Sequence, residues 1–198
     1  IMVSNAQSLT AYQFLLKTSK NKKHHQLNKF LKDTEIISLD SRLNKNLSLK
    51  FFIIKTIISQ QVSTGAAASI WKKTEKLLNQ KKRISLKNLR DCGLSRPKAS
   101  YVNEVLSNQY LDSFTKKDLK KMNQADVSDL FLKIKGIGPW TIGIIQMFYL
   151  EQEDIYLTGD LGIKKAGLNF FKSENYEAKD YSPYRTYLCM YLWRSLND

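Results

Sequence analysis

The chain is poor in the residues that build disulfide frameworks, metal clusters and membrane spans. Its 198 residues include two cysteines, Cys92 and Cys189, and three prolines. Two cysteines so far apart in the sequence indicate neither a disulfide framework nor a thiolate metal site. The apolar stretch 51–58 is interrupted by Lys55 and is much shorter than the roughly 20 residues that a membrane helix needs. Because the N-terminus also shows no signal-peptide pattern, a reducing cytoplasm is the expected location.

Acidic residues are the other scarce class. The chain has 18 Asp and Glu against 32 Lys and Arg, which gives a formal net charge of +14 and a pI of about 9.7. Such a basic chain favours a polyanionic partner, because phosphates that bind lysine and arginine release their counterions. Nucleic acid is the leading candidate, and an anionic membrane surface is the alternative. Hydrophobic residues still make up 42% of the chain, which is enough to build a folded core.

Strand-like alternation of apolar and polar residues is not found, whereas helical spacing recurs along the chain. The sequence therefore predicts an all-α fold. The clearest predicted helices are 49–59, 63–79, 85–91, 95–106, 126–134, 140–150, 160–168 and 182–196, the last with Ser182 as its N-cap. The first fifty residues predict two short helices joined by a basic linker, 17–25, in which His24 and His25 are interpreted as solvated. The lysine-rich linker 110–122 is also interpreted as solvated.

A turn with two glycines, Gly136-Ile137-Gly138, lies between the predicted helices 126–134 and 140–150. Glycines at these positions permit positive φ angles and a close approach of another molecule. The helix that follows offers unpaired backbone amides, which bind phosphate without reading base sequence. A plain corner between two helices is the alternative, and the excess of basic residues favours the phosphate site.

Two motifs follow one another in this part of the chain. The turn continues as Gly136-Ile137-Gly138-Pro139-Trp140-Thr141, and Thr158-Gly159-Asp160-Leu161-Gly162 comes after it. Together they resemble the helix-hairpin-helix DNA glycosylase superfamily, in particular its 3-methyladenine DNA glycosylase II branch. Three further stretches agree with that branch: 57–63, 92–99 and 183–194. The resemblance covers about residues 52–196 and leaves the N-terminal quarter weakly constrained.

The resemblance implies an overall architecture. It predicts a two-lobed helical bundle that contains a helix-hairpin-helix motif and a cleft between the lobes. The whole chain, 1–198, is expected to form one glycosylase unit, with approximate lobes of 1–50 plus 165–198 and of 51–164. Double-stranded DNA that contains damaged bases is the implied partner. No membrane is involved, and the protein is expected to act as a monomer.

Asp160 occupies the position of the family's catalytic carboxylate. Breaking an N-glycosidic bond leaves positive charge on the sugar, which an ionised carboxylate stabilises while it orients or activates the attacking water. A helix N-terminus favours the ionised form of an Asp, because its amides donate hydrogen bonds and its dipole attracts negative charge. The alternative is that Asp160 only caps a helix, a contribution of about 1 kcal/mol to stability.

Trp140 narrows the reaction type. In relatives that also cut the strand, a lysine stands at this position and forms a Schiff base with the sugar, which tryptophan cannot do. The chain also lacks the four-cysteine cluster by which many endonuclease-type relatives hold iron and sulfur. The resemblance therefore implies a monofunctional glycosylase that requires no cofactor and leaves an abasic site.

An aromatic base pocket is implied by the positions of Trp140, Trp193 and Tyr184. An alkylated purine carries positive charge and stacks favourably on electron-rich rings, by roughly 0.5 to 2 kcal/mol. Ile144 stands where some relatives place an aromatic pocket residue, which leaves the width of the pocket open. Trp193 is equally compatible with an ordinary place in the core.

The resemblance also assigns residues to the DNA and to a cation. Gln61, at the break between the first two core helices, would fill the space that an extruded base leaves, or would only kink the junction. The amides of three residues would bind phosphate: Gly136, Gly138 and Thr141. The backbone carbonyls of three others would hold a structural Na+ or K+: Leu132, Ile134 and Ile137.

The sequence thus predicts an enzyme of base excision repair that removes alkylated purines such as 3-methyladenine. Two alternatives stay open. A noncatalytic helix-hairpin-helix protein would use the turn only to bind phosphates. A bifunctional oxidised-base glycosylase would also cleave the strand, although Trp140 argues against it.

Overall fold

A computed structural model describes residues 2–43, 46–80, 83–171 and 176–196. Within these ranges the chain forms eleven α-helices and three short 3-10 helices and contains no strand, so the all-α prediction is confirmed. The helices are α1 (Met2–Asn21), α2 (His25–Asp33), α3 (Leu49–Ser59), α4 (Thr64–Gln80), α5 (Leu86–Asp91), α6 (Arg96–Ser107), α7 (Lys116–Lys121), α8 (Gln124–Leu132), α9 (Pro139–Phe148), α10 (Leu161–Phe171) and α11 (Arg185–Arg194). Across the same ranges, none of the helices combines the length and the apolar character that crossing a membrane requires.

The chain divides into two compact units. The first combines Ile1–Leu43 with Gln146–Asp198, and the second is Asn44–Ile145. The lobes expected from the sequence, 1–50 plus 165–198 and 51–164, differ from these units mainly over residues 146–164. Asp160 therefore lies in the first unit, and the glycine turn lies in the second.

Helix α3 is the core helix of the second unit. Seven of its eleven residues are buried, and a helix that is apolar on nearly all sides must be surrounded by others. It packs against α4 and α6. Ser48 caps its N-terminus by accepting a hydrogen bond from the amide of Phe51, and its bounds agree with the predicted helix 49–59. Serines also cap the next three helices, at Ser63, Ser85 and Ser95.

Helix α11 is the core helix of the first unit. Its residues 186–192 are all buried, which fixes the helix firmly against α10 and α1. Helix α2 packs in turn on α1 and on α10. The catalytic candidate Asp160 immediately precedes α10, so the core of this unit determines where its carboxylate lies.

Two expectations for the N-terminal region are wrong. Residues 17–21 belong to α1 instead of a linker, because Ser19 on this turn is fully buried and fixes the turn against the unit. His24 is not solvated, since its Nδ1 lies 2.6 Å from the hydroxyl of Tyr181 and its ring packs edge-on against Phe171. His25 is exposed, as expected.

Two expectations for connecting segments also need correction. The segment 110–122 contains the helix α7, which forms because Leu119 is buried and because Thr115 and Asp118 cap its first turn reciprocally. Ser182 does not cap the last helix. Its hydroxyl donates to Oδ2 of Asp154 at 2.7 Å, and α11 begins three residues later at Arg185.

Candidate active site

The glycine turn is a hairpin between α8 and α9. After α8 ends at Leu132, the amide of Ile134 donates to the carbonyl of Phe131 at 3.0 Å, and the amide of Ile137 donates to that of Ile134 at 3.1 Å. These two tight turns reverse the chain within a few residues. Helix α9 then begins at Pro139, which lacks an amide N–H and tolerates the first helical position.

The two glycines of the hairpin have different roles. Gly136 has a φ of 89°, in the left-handed region, and packs directly against the ring of Tyr101 on α6. Gly138 is not in that region, and a Cβ built on it would meet nothing within 4 Å. Of the two properties that glycine permits at these positions, Gly136 uses the positive φ and Gly138 leaves room for a close approach. Its missing side chain leaves open space beside the first turn of α9.

Gln60 connects the end of α3 to the hairpin. Its side-chain amide donates to the hydroxyl of Thr141 at 2.9 Å and to the carbonyl of Gly136 at 3.4 Å. Thr141 is buried, so its hydroxyl is committed to the inside of the second unit. Nothing in the sequence indicates the bond to Thr141, because the two residues are 81 positions apart.

Gln61 has the opposite character. It is exposed and has a φ of 53°, an uncommon conformation for a residue that is not glycine. Its neighbour Gln60 turns inward, so the two glutamines at the end of α3 divide into a structural residue and one that faces solvent. A surface pocket of about 250 Å³ lies beside Gln61 and is also lined by Leu94 and Lys98.

Lys98 holds the break between α3 and α4 in place. Its ammonium group donates to the carbonyls of Ile58 and Gln60, which lie at the helix end where carbonyls lack intrahelical partners. Burial lowers the pKa of Lys98 from its usual value. Lys98 lies in the stretch 92–99 that agrees with the family, but the sequence does not indicate its two hydrogen bonds to these carbonyls.

Asp160 is half-buried and lies at the N-terminus of α10. Its Oδ1 accepts a hydrogen bond from the amide of Ile163 at 2.8 Å and another from the indole N–H of Trp193 at 3.0 Å. Asp160 thus does cap the helix, as the structural alternative proposed, but the second donor shows that capping is not its whole environment. The two donors hold one oxygen from two different helices.

The remaining pocket candidates occupy two places. Tyr184 packs edge-on against Phe14 at a centroid distance of 5.3 Å, within the first unit. Trp140 and Ile144 are half-buried and one turn apart on α9, so they share a face of that helix. Trp193, the fourth predicted pocket residue, contacts Asp160 through its indole N–H.

Arg185 and Asp154 form a pair that sequence reasoning did not single out. The guanidinium donates from Nε to Oδ1 at 2.6 Å and from Nη2 to Oδ2 at 2.9 Å. Burial raises the pKa of Asp154, but the hydrogen bonds from Arg185 and Ser182 outweigh burial and leave the pKa below its usual value. The pair joins the start of α11 to the segment that leads to Asp160. Arg185 is half-buried and lies in the stretch 183–194 that agrees with the family, but nothing in that stretch indicates Asp154 as its partner.

A hairpin between two helices and a carboxylate at the start of a later helix are the features expected of a helix-hairpin-helix DNA glycosylase. No protein-family model matches the chain. The alkylbase DNA glycosidase-like protein mag2 of Schizosaccharomyces pombe is 31% identical over 165 residues, which cover 72% of this chain and 75% of that protein. The chain belongs to the helix-hairpin-helix DNA glycosylase superfamily, in its alkylpurine branch.

Solved structures agree with the fold. The 3-methyladenine DNA glycosylase Mag1 of Schizosaccharomyces pombe, in complex with abasic DNA, superimposes with a TM-score of 0.78 at 18% identity, covering 96% of this chain and 97% of that one. A DNA-3-methyladenine glycosidase from Bacillus halodurans gives a TM-score of 0.69 at 24% identity, covering 90% of this chain and 86% of that one. At these identities the likeness supports the helical fold.

Proposed function

We propose that the protein is a monofunctional DNA glycosylase that removes alkylated purines, 3-methyladenine among them, from duplex DNA. The reaction is hydrolysis of the bond between base and sugar. The observation that carries the proposal is the environment of Asp160 at the start of α10. Its Oδ1 accepts hydrogen bonds from the amide of Ile163 and from the indole N–H of Trp193. Hydrogen bonds from two N–H groups on different helices hold the carboxyl group in a fixed place, as electrostatic stabilisation of the sugar requires.

The carboxylate would act on the sugar. As the base departs, positive charge develops at the anomeric carbon, and a fixed negative charge nearby lowers the energy of that state. The carboxylate can also orient the water that attacks from the face opposite the departing base. An alkylated purine already carries positive charge and leaves readily, so the enzyme need not protonate it.

The identity of residue 140, a tryptophan, supports hydrolysis of the bond to the base without cleavage of the strand. Strand cleavage by covalent catalysis requires an amine that attacks the sugar, and this position on α9 carries an indole. We expect no DNA adduct after borohydride reduction with methylated or oxidised duplexes. A trapped adduct would contradict the monofunctional part of the proposal and favour a glycosylase with lyase activity.

The hairpin would bind the DNA backbone. The open space beside Gly138 lets a phosphate approach the amides at the start of α9, where the helix dipole also favours negative charge. Lys133 and Lys135 are exposed beside it. The net charge of +14 supports the same partner, and affinity should fall steeply with salt.

Gln61 would enter the duplex. Its exposed side chain stands on a turn that Lys98 and Gln60 hold from the inside, so the backbone beneath it is firmly supported. A glutamine amide can fill the space of an extruded base and hydrogen-bond the base left behind. The resemblance assigns the extruded base to a pocket that includes the ring of Trp193, beside Asp160.

The hairpin residues also suit a monovalent cation. Leu132 ends α8, where carbonyls lack intrahelical donors, and Ile134 and Ile137 are buried in the turn that follows. The backbone carbonyl oxygens of these three residues would be the ligands, and neutral oxygens suit Na+ or K+. The ion would stabilise the turn without taking part in the reaction. Replacing KCl by tetramethylammonium chloride at equal ionic strength should weaken DNA affinity.

One experiment tests the central proposal. Purified protein is incubated with methylated duplex DNA, and the released bases are identified by mass spectrometry; 3-methyladenine should be among them. Asp160→Asn should abolish release while DNA affinity stays similar or rises. The matched control Asp33→Asn changes an exposed aspartate of the same unit and should release bases at the wild-type rate. Unchanged release by Asp160→Asn would leave only a noncatalytic DNA-binding role for the hairpin.

A further inference from the structure

We propose that Trp193 is a positioning residue: its indole N–H holds the carboxylate of Asp160 in the orientation that the reaction needs. The inference rests on the proposed function and gives Trp193 a role other than a wall of the base pocket. It follows from the hydrogen bond between Trp193 Nε1 and Asp160 Oδ1, at 3.0 Å, and from the way both partners are fixed.

The first step concerns the carboxylate. Oδ1 receives the amide N–H of Ile163 from α10 and the indole N–H from α11. The amide alone would leave the side chain free to adopt other capping geometries, as N-cap residues often do. With a second donor from another helix, rotation of the carboxylate breaks at least one hydrogen bond. The orientation is therefore set by two helices together.

The second step concerns the indole. Trp193 lies at the end of α11, directly after the buried run 186–192, so its backbone is held by the core. Its ring lies 6.2 Å from that of Phe148 between centroids. An indole has one hydrogen-bond donor and no acceptor, and here that donor is used by the carboxylate.

The third step concerns Gly162, which makes room for the contact. A Cβ built on Gly162 would lie 3.1 Å from Oδ1 of Asp160 and 3.3 Å from Cδ1 of Trp193. Both distances are tighter than ordinary van der Waals contact. A methyl group at this position would force small shifts in Asp160 and Trp193, and in Leu196, whose Cδ1 is also 3.3 Å away. A glycine at the second position of α10 therefore belongs to the same arrangement.

The consequence is a defined effect on the reaction. Electrostatic stabilisation of the sugar depends on the charge standing in place before the base departs. A donor that acts on the carboxylate should affect the excision rate for every leaving base. A residue that only stacks on the base should affect rates according to the chemistry of that base.

The test begins with Trp193→Phe, which keeps a ring but removes the N–H. Single-turnover excision and affinity for a duplex with a tetrahydrofuran abasic analogue are measured together. We expect excision to fall by about tenfold to a hundredfold, as for loss of a hydrogen bond to a charged group, with affinity within threefold of wild type. A rate loss below threefold, or an affinity loss that matches the rate loss, would overturn the inference.

The second readout separates positioning from stacking. Excision of 3-methyladenine and of 7-methylguanine, two alkylated purines whose rings and leaving abilities differ, is compared in the same variant. The factor lost through Trp193→Phe should agree within threefold between the two bases. A larger difference would return Trp193 to the wall of the pocket.

A matched pair of glycine substitutions tests the same contact independently, in case Trp193→Phe fails to fold. Gly162→Ala should lower excision, because its Cβ would disturb Asp160 and Trp193. Gly167→Ala lies on the same helix, where a Cβ would be an ordinary 3.9 Å from Phe171, and should leave the rate unchanged. Equal rates for the two variants would contradict the inference.

The outcomes also distinguish this inference from the proposed function. If Asp160→Asn remains active, the proposed function fails. If Asp160→Asn is inactive while Trp193→Phe and Gly162→Ala excise normally, only this inference fails.

Discussion

Gly136 and Tyr101 are in direct contact, so close that a Cβ at position 136 would lie 2.2 Å from Cγ of the tyrosine ring. The φ of 89° at Gly136 is a second reason for glycine at this position. The ring of Tyr101, on α6, therefore packs against the backbone of the hairpin. The shape of the hairpin depends on α6 as well as on its own sequence.

Substitution of Gly136 should mainly lower stability, whereas substitution of Gly138 should mainly weaken DNA binding. Gly136→Ala should lower the free energy of unfolding by about 2 to 4 kcal/mol, from a strained φ and a clash with Tyr101. Gly138→Ala should leave stability within about 1 kcal/mol, because its Cβ enters open space, but should weaken DNA binding roughly tenfold if a phosphate approaches there. Urea unfolding and fluorescence anisotropy measure the two effects. Equal affinity in Gly138→Ala and wild type would contradict this assignment.

The two glutamines at the end of α3 should respond in opposite ways. Gln60→Ala removes the bonds to Thr141 and Gly136 and should cost about 1 to 2 kcal/mol of stability. Gln61→Ala removes only an exposed side chain and should keep the melting temperature while excision from duplex DNA falls. Excision from single-stranded DNA serves as the control for Gln61, since no paired base has to be extruded there. Loss on both substrates would point away from a role in base extrusion.

The pair of Arg185 and Asp154 should give a pH-dependent contribution to stability. Because the pKa of Asp154 is below its usual value in the folded protein, the contribution is present above the unfolded pKa of about 3.9. It is lost as the pH falls through the lower folded pKa. Arg185→Gln should cost about 2 kcal/mol at neutral pH, as for loss of hydrogen bonds to a charged group, and its difference from wild type should shrink toward pH 3. A difference that stays constant with pH would show that the ion pair is not its source.

His24 should make the first unit sensitive to mild acid. Burial lowers the pKa of His24, and this outweighs the opposing effect of Asp180, while Lys22 adds to the lowering. The unfolded chain therefore takes up the proton first, and stability falls as the pH drops below about 6.5. Melting temperatures at pH 7.5 and pH 5.5 should differ more for wild type than for His24→Gln. His25→Gln, which changes an exposed neighbour, should behave as wild type.

The helices were predictable where a local signal sufficed. The bounds of α3 follow from a dense apolar run, and those of α5 and α6 from serine caps at their starts. The end of α1 and all of α7 were missed because their lysines resemble a solvated linker. What makes these segments helical is the burial of single residues, Ser19 and Leu119, and burial depends on distant parts of the chain.

Motifs in the sequence name candidate site residues, but they do not indicate the contacts between those residues. Asp160 and Trp193 were both chosen from motifs, yet nothing in the spacing of those motifs indicates that one donates to the other. The same holds for Gln60, whose partners lie 76 and 81 positions away. Side-chain bonds across such separations arise from packing, and a single sequence carries no periodic signal for them.

The partners of Asp160 also enter the chain at different times during synthesis. Ile163 follows it by three residues, whereas Trp193 comes 33 residues later. Since α11 is also the buried core helix of the first unit, the surroundings of Asp160 are complete only after α11 has been translated and has packed against α10. A chain truncated before residue 185 should therefore lose the fold of the first unit together with base excision.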